Sequence, residues 1–226
     1  MKKVLKFLVI VLVITLFCGC KKEEKKVDLL GIDFTKDTNE VILKKYETTN
    51  PLVAMEIENY GAIVIELYPD KAKNTANNFI SLVKSGFYDN NTFHRLVSGF
   101  VLQGGDPTGT GAGGPGYSIK GEFLNNGYNN DLKHTEKIVS MARSQDNDSA
   151  GSQFFIMLGE ANYLDGDYAA FGKVIDGFDV IKDIENEEIV SDVQTGKLRN
   201  NLTIKKALVD TRGKTYEEVE KINDES

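Results

Sequence analysis

The stretch Phe-His-Arg-Leu-Val-Ser-Gly-Phe-Val-Leu-Gln, residues 93–103, carries the strongest structural signal in this chain. Its closely spaced apolar side chains are typical of a buried β-strand. Arg95 interrupts the run, and a guanidinium group is permanently charged and costly to remove from water. Either the stem of Arg95 covers the core while its head reaches water, or the head lies in an apolar cleft for a functional reason. The flanking residues favour the second alternative.

Three blocks of sequence, in order along the chain, resemble the signature of the cyclophilins, the peptidyl-prolyl cis-trans isomerases. The resemblance extends from residue 52 to residue 210, and three ordered blocks are far more specific than one short motif. The blocks are Phe93–Arg95 with Gly99–Asp106, then Ser140–Arg143 with Gly151–Ile156, and finally Tyr163–Val174.

The resemblance implies a mainly β fold, a closed eight-stranded antiparallel β-barrel capped by two α-helices. The residue pattern independently predicts a β-hairpin, because large apolar residues recur at every second position on both sides of a glycine-containing turn: Val53, Met55 and Ile57, then Ile63, Ile65 and Leu67. The clearest helix pattern follows, with Asn74 or Thr75 as its N-cap and Gly86 at its C-terminal end. A second short helix is predicted over residues 178–184. The apolar stripe of the first helix consists of Ala76, Phe79, Ile80 and Val83.

The chemistry of prolyl isomerisation explains why an arginine could act alone. The barrier of about 18–20 kcal/mol to rotation is lost amide resonance. In the twisted state the prolyl nitrogen regains a lone pair and accepts a hydrogen bond. A fixed cationic donor aimed at that nitrogen therefore binds the twisted state better than either planar isomer. Arg95 is the candidate for this donor.

The resemblance also implies roles for the residues around Arg95. Gln103 would orient Arg95 and bind the substrate backbone, which makes these two residues the expected catalytic pair. Ala142, Arg143 and Gln153 would hold the peptide backbone. The pocket for the proline ring would be lined by Phe100, Val101, Phe155 and Leu164.

Two pocket positions differ from the residues that are usual in eukaryotic cyclophilins. Tyr163 stands in place of a tryptophan and Tyr168 in place of a histidine, and both are counted among the substrate-binding residues. In the family that tryptophan's indole N–H helps to hold cyclosporin, so the resemblance gives no reason to expect tight binding of the drug here. The departures leave catalysis intact in this interpretation.

Other chemistries lack the residues they require. His94 and His134 are the only histidines, and no Gly-x-Ser-x-Gly motif occurs, so neither a hydrolase nor a zinc site is expected. We interpret His94 as a structural hydrogen-bonding residue beside the site and His134 as a surface residue. Gly109–Gly114 matches a dinucleotide-binding pattern, but Pro115 follows where a helix would have to begin. No cofactor and no metal are expected.

Residues 1–19 resemble a bacterial lipoprotein signal peptide, with three lysines and an apolar run shorter than a membrane span of about 20 residues. Gly19 precedes Cys20 as a small residue, so Cys20 is the expected lipidation site. Cys18 is less suitable because bulky Phe17 precedes it. An uncleaved signal anchor, or cleavage that leaves Cys20 unmodified, are the alternatives. The expected location is extracytoplasmic, lipid-anchored to the bacterial cell membrane.

The remaining chain divides into a membrane-proximal tether (residues 20–50), an isomerase domain (51–210) and a charged tail (211–226). A flexible tether of this length would reach about 30 Å. In the tail, residues 215–222 could form a short amphipathic helix. Loss of three lysines with the signal peptide changes the net charge from −7 to −10, which opposes binding to nucleic acid. A monomer is expected.

The predicted function is that of a peptidyl-prolyl cis-trans isomerase acting during the folding of exported proteins. Its partners would be proline-containing unfolded or exported polypeptides, whose uncatalysed isomerisation takes tens to hundreds of seconds. One alternative is a non-catalytic chaperone or scaffold module that binds proline-containing peptides. Another is an unrelated lipoprotein such as a solute receptor, against which the lack of two similar lobes in the sequence argues.

Overall fold

A computed structural model of the protein describes residues 27–188 and 190–222. In these ranges nine strands and two α-helices form the regular structure, together with two short 3₁₀-helices. The strands are β1 (Leu52–Ile57), β2 (Gly61–Leu67), β3 (Asn91–Val97), β4 (Val101–Asp106), β5 (Ile138–Met141), β6 (Phe154–Met157), β7 (Ala170–Asp176), β8 (Val190–Asp192) and β9 (Lys197–Asp210), and the helices are α1 (Lys73–Lys84) and α2 (Phe178–Glu187).

Eight of the strands close into a barrel in the order β1-β2-β7-β5-β6-β4-β3-β9, with every neighbouring pair antiparallel. The 14-residue β9 closes the ring, because its first part pairs with β3 and its last part with β1. Closure leaves no free sheet edge within the ring. The short β8 pairs with the start of β9 outside the ring. The predicted eight-stranded antiparallel barrel with two helices is confirmed.

Apolar side chains of the strands and of α1 fill the interior of the barrel. Phe79 of α1 lies at the centre of an aromatic cluster, with ring centroids 5.0 Å from Phe171 and 5.2 Å from Phe154. The predicted apolar stripe of α1 is buried throughout. Its larger side chains, Phe79, Ile80 and Val83, each contribute about 1.5–3 kcal/mol of transfer free energy. The second helix, α2, packs against β2 and buries Val180, Ile181 and Ile184.

The start of α1 differs from the sequence-based expectation. Its N-cap residue is Ala72, and neither Asn74 nor Thr75 caps the helix with its own side chain. The buried Glu122 does so instead, because its carboxylate accepts the backbone N–H groups of Asn74 at 3.0 Å and Thr75 at 2.7 Å. An anion at this end also complements the helix dipole. Gly86 closes the other end with φ +74, as predicted.

The stretch 93–103 forms a hairpin, so the expectation of one buried strand was wrong. β3 ends at Val97, and β4 begins at Val101 after a turn in which Gly99 has φ +69. The apolar residues on the two sides of this turn are alike in character, so composition alone does not reveal the reversal. The hairpin register places Arg95 directly opposite Gln103.

Residues 27–50, part of the predicted tether, pack against the outside of the barrel. Ile32, Phe34 and Leu43 are buried there against outward-facing apolar residues of β1, β2 and β9. This contact explains why Ala54 and Val64, on the outer face, are apolar. Only the segment that precedes residue 27 is left as a candidate for a free tether. Within the described ranges, neither α-helix combines the length and apolar character that a membrane crossing requires.

The described part of the C-terminal tail is extended, so the possible helix over residues 215–222 is not formed. Tyr216 and Val219 pack against the main core. Ile222 forms an isolated antiparallel bridge with Ser118. These contacts with the barrel replace the local hydrogen bonds that a short helix would have offered.

Candidate functional site

A cleft of about 360 Å³ opens at one side of the barrel. β3, β4, the turn between them and β6 supply part of its lining, and the loops after β5 and before β7 supply the rest. It brings together ten of the eleven residues predicted for catalysis and substrate binding. Gln153, the eleventh, lines an adjoining groove of about 660 Å³ that also includes Gln103, Ala142 and Arg143. The cleft is lined by Arg95, Phe100, Val101, Gln103, Ala142, Arg143, Phe155, Tyr163, Leu164 and Tyr168.

The guanidinium group of Arg95 is held at two points. Its Nη1 donates to Oε1 of Gln103 at 3.2 Å, and its Nε donates to the backbone carbonyl of Thr195 at 2.9 Å. Both acceptors are uncharged, so these bonds orient the guanidinium without neutralising it. Its carbon lies 5.9 Å from the ring centroid of Phe100. Arg95 is half-buried, and among residues 27–188 and 190–222 none accepts a hydrogen bond from its remaining donors, which face the cleft.

The orientation of Gln103 follows from a chain of hydrogen bonds. Gln153 Nε2 donates to the carbonyls of Gly111 and Gly113, at 3.0 and 2.9 Å, so its Oε1 must face Gln103. Gln103 Nε2 donates to that oxygen at 3.1 Å, which leaves Gln103 Oε1 facing Arg95. Two backbone carbonyls of the glycine-rich loop therefore fix the direction of both amides.

Asp106 fixes the glycine-rich loop itself. Its buried carboxylate accepts the backbone N–H groups of Thr108 at 2.7 Å, Gly111 at 2.6 Å and Gly113 at 3.1 Å. Burial raises the pKa of this carboxyl, but these hydrogen bonds outweigh burial and lower the pKa to about 2. Asp106 is part of the sequence signature, yet its role was missed. The available signal was an aspartate followed by Pro107 and Thr108 at the start of a glycine-rich turn segment, where an aspartate commonly accepts backbone N–H groups.

The floor of the cleft is apolar. Val101, Phe155 and Leu164 are buried in a hydrophobic cluster that is separate from the main core. Tyr163 forms the rim, with 71% of its surface exposed and its ring stacked on that of Phe100 at 6.0 Å between centroids. A concave apolar floor beside a fixed cationic donor is suited to a proline ring with its amide nitrogen at the edge.

Comparisons with known proteins agree with this geometry. Residues 52–209 match the family described as cyclophilin type peptidyl-prolyl cis-trans isomerase. This chain belongs to that family. Peptidyl-prolyl cis-trans isomerase B of Bacillus subtilis is 43% identical over 138 residues, which are 61% of this chain and 93% of that protein. The Helicobacter pylori isomerase is 39% identical over 153 residues, 67% of this chain and 91% of that protein.

A solved structure shows the same fold. The Cryptosporidium parvum cyclophilin, crystallised in the presence of the dipeptide Ala-Pro, has a TM-score of 0.62 and 35% identity to this chain. The likeness covers 70% of this chain and 98% of that one. The chain spans only 27% of a longer relative, the isomerase-like 2 protein of Rhizopus delemar, with 41% identity over 150 residues. The predicted class of enzyme, a cyclophilin-type peptidyl-prolyl cis-trans isomerase, is confirmed.

In this cyclophilin Arg143 is engaged both by its own loop and by the loop before β7. Its Nε donates to the carbonyl of Asp167 at 2.9 Å, and its Nη1 donates to that of Ser144 at 2.9 Å. The guanidinium carbon also lies over the rings of Tyr168 and Phe123, at 4.7 and 5.2 Å from their centroids. Arg143 thus connects the two loops that border the cleft. Its predicted contact with a peptide backbone stays a prediction.

His134 is fully buried, so its interpretation as a surface residue was wrong. Its Nδ1 lies 3.0 Å from Oδ1 of Asp165, and its Nε2 lies 3.0 Å from Oγ of Ser140. Burial lowers its pKa, so the imidazole is neutral at pH 7. The ring stacks under Phe155 with 6.1 Å between centroids. Although the three side chains have the order of a hydrolytic triad, Ser140 is fully buried and cannot meet a substrate.

His94 lies beside the glycine-rich loop, close to Gly111. Burial lowers its pKa. Its Nδ1 is buried and has no hydrogen-bond partner among the described residues. The predicted structural hydrogen bond is therefore not found for this atom. Cys20, the predicted lipidation site, lies outside the described residues.

Proposed function

We propose that Arg95 catalyses rotation about X–Pro bonds by donating a hydrogen bond to the prolyl nitrogen of the twisted amide. The observation that carries this proposal is the two-point fixation of a charged guanidinium beside an apolar cleft. Two of its five N–H groups donate to Gln103 and Thr195, and the other three have no acceptor in the described part of the chain and would serve a substrate. Because these donors are fixed before the substrate binds, little reorganisation is needed in the transition state.

The rest of the cleft would hold the substrate so that only the amide rotates. Val101, Phe155 and Leu164 would receive the proline ring, and Phe100 and Tyr163 would cover it. Ala142 and Gln153 border the adjoining groove and would bind the backbone beside proline. Since no group has to gain or lose a proton, the rate should be nearly independent of pH between about 6 and 9, where arginine does not titrate.

The test is cis-trans exchange in a short Ala-Pro-containing peptide, followed by NMR at equal concentrations of folded protein. The parent would be residues 21–226, because residues 27–50 pack on the barrel and should be retained. Arg95→Ala should lower kcat/KM by about 100-fold or more, the usual effect of removing a fixed transition-state donor. Arg199→Ala, the loss of an exposed arginine, is the control. Equal activity of Arg95→Ala and the parent would refute the assignment, and peptide binding without exchange by the parent would favour the non-catalytic module.

We further propose that the protein works on exported polypeptides at the outer face of the bacterial cell membrane. The signal-like residues 1–19 and the Gly19–Cys20 pair support this proposal. The seven residues from Lys21 to Val27 can span at most about 25 Å. Anchoring at Cys20 would therefore keep Val27, where the described chain begins, within about 25 Å of the lipid surface.

Lipidation can be tested by metabolic labelling with a fatty-acid analogue in a bacterial host that processes lipoproteins. The parent should incorporate label and partition with membranes. Cys20→Ser should do neither, while Cys18→Ser should behave like the parent. Label retained by Cys20→Ser, or a parent without label, would contradict the anchor without bearing on catalysis.

A further inference from the structure

A tight turn outside the cleft makes direct contact with Arg95. The turn, residues 192–196, joins β8 to β9. Thr195 presents its backbone carbonyl to Nε of Arg95 at 2.9 Å, and Gly196 accepts the backbone N–H of Leu96 at 2.8 Å. Two consecutive residues of the turn thus bind two consecutive residues of β3, a hundred positions earlier in the chain.

The turn is held in shape by its first residue. Asp192 accepts the backbone N–H of Gln194 at 2.9 Å through Oδ1 and the hydroxyl of Thr195 at 2.8 Å through Oδ2. Its backbone carbonyl accepts the N–H of Gly196 at 2.8 Å. These bonds fix the direction of the Thr195 carbonyl, which is the group that Arg95 contacts.

Gly196 lets the turn lie close to β3. Its φ is +75, and a Cβ at this position would lie 2.7 Å from the carbonyl oxygen of Leu96 and 2.7 Å from Cγ2 of Val97. It would also lie 3.2 Å from Cγ of Arg95. Any larger residue would therefore push the turn away from β3, and the Thr195 carbonyl with it.

We propose that the turn 192–196 is a positioning element for Arg95, which sets the rate of catalysis by fixing the plane of the guanidinium. This inference rests on the proposed catalytic role of Arg95. The hydrogen bond that Arg95 donates to Gln103 fixes one end of the guanidinium, and the one it donates to Thr195 fixes the other. With only one of them the group could rotate about the remaining bond, so its free donors would point at the prolyl nitrogen for less of the time. Asp192 acts through Thr195 and is a positioning residue.

The experiment compares Asp192→Ala, Asp192→Asn and Gly196→Ala with the parent protein. Asp192→Ala and Gly196→Ala should each lower kcat about tenfold with KM changed less than twofold, because orientation is lost and binding surface is kept. Asp192→Asn keeps one acceptor oxygen and should recover part of the rate. Gly213→Ala is a matched control, since Gly213 has φ +70 and open space around it.

A second readout does not depend on activity. The ¹⁵N–¹H signal of Arg95 Nε, assigned by its loss in Arg95→Lys, should shift and exchange faster with water in Asp192→Ala and Gly196→Ala. Unchanged kcat and an unchanged Nε signal in both variants would overturn the inference. A rise in KM alone would also overturn the inference. It would indicate that the turn contacts the substrate through Val193, which lies in the turn and is 87% exposed. If Arg95→Ala itself kept full activity, the proposed function would fail, while the Nε signal would still report the contact.

Discussion

Replacing Asp106 with asparagine should lower the free energy of unfolding by an amount that depends on pH, and it should also lower activity. The buried carboxylate accepts three backbone N–H groups and the hydroxyl of Thr108. Asparagine has nearly the same shape but carries no charge and has only one side-chain oxygen. Its NH₂ group would therefore face backbone N–H groups that the second carboxylate oxygen now accepts. The glycine-rich loop would lose its main anchor.

The size of the effect follows from the pKa of the carboxyl. Its reduction from 3.8 to about 2 on folding corresponds to about 2 kcal/mol of stability. Because the pKa is lower in the folded state, this stabilisation is complete above about pH 4 and is lost as pH falls through 2. Asp106→Asn should thus lower the free energy of unfolding by about 2 kcal/mol at pH 7, and by progressively less below pH 4.

Urea unfolding followed by far-UV circular dichroism is suitable, since the chain has no tryptophan. The parent, Asp106→Asn and the control Asp70→Asn, which alters an exposed aspartate, would be compared at pH 7, 5, 4 and 3. The difference between parent and Asp106→Asn should shrink toward low pH, while the control should follow the parent. A deficit below about 0.5 kcal/mol at pH 7, or one that is constant from pH 7 to 3, would refute the argument.

The same variant should lose activity, because the loop carries the carbonyls that orient Gln153 and through it Gln103. The fall should be in kcat, since the apolar floor of the cleft is unchanged. Full activity together with the expected loss of stability would show that the two glutamines keep their orientation without the loop anchor.

Three further changes have defined outcomes. His134→Ala should lower the free energy of unfolding by about 2–4 kcal/mol in urea titrations, because it opens a cavity and removes the buried partner of Asp165. In the parent, NMR should show a His134 pKa below that of an ordinary imidazole, because burial disfavours the charged ring, and an unshifted pKa would contradict this effect of burial. Glu122→Ala should cost about 1–2 kcal/mol by uncapping α1, against no measurable loss for the exposed Glu58→Ala. Tyr163→Trp would supply an indole N–H at the rim and should tighten cyclosporin binding about tenfold in calorimetry, and an unchanged Kd would count against the role given to this position.

The sequence alone determined the buried faces of the first strands and of α1, and it indicated the family, because the residue patterns that carry this information are local. The alternation of residues 52–58 and 63–67 and the stripe of α1 report which faces are buried, since strand and helix have fixed periods. The motif blocks were enough to indicate the family, and with it the barrel and the residues of the cleft. Of the two hydrogen bonds that orient Arg95, the one to Gln103 could be anticipated, because Gln103 follows Arg95 closely in the same block.

Tertiary structure decided the features that depend on contacts between distant segments. The Thr195 carbonyl reaches Arg95 only because barrel closure pairs β3 with β9 in one register. The contact of buried His134 with Asp165 and the capping of α1 by Glu122 at Thr75 join residues 31 and 47 positions apart, so neither could be read from the local sequence. A polar residue looks the same in sequence whether it meets water or a buried partner. Its environment is set by the register and closure of the sheet, which residue periodicity does not encode.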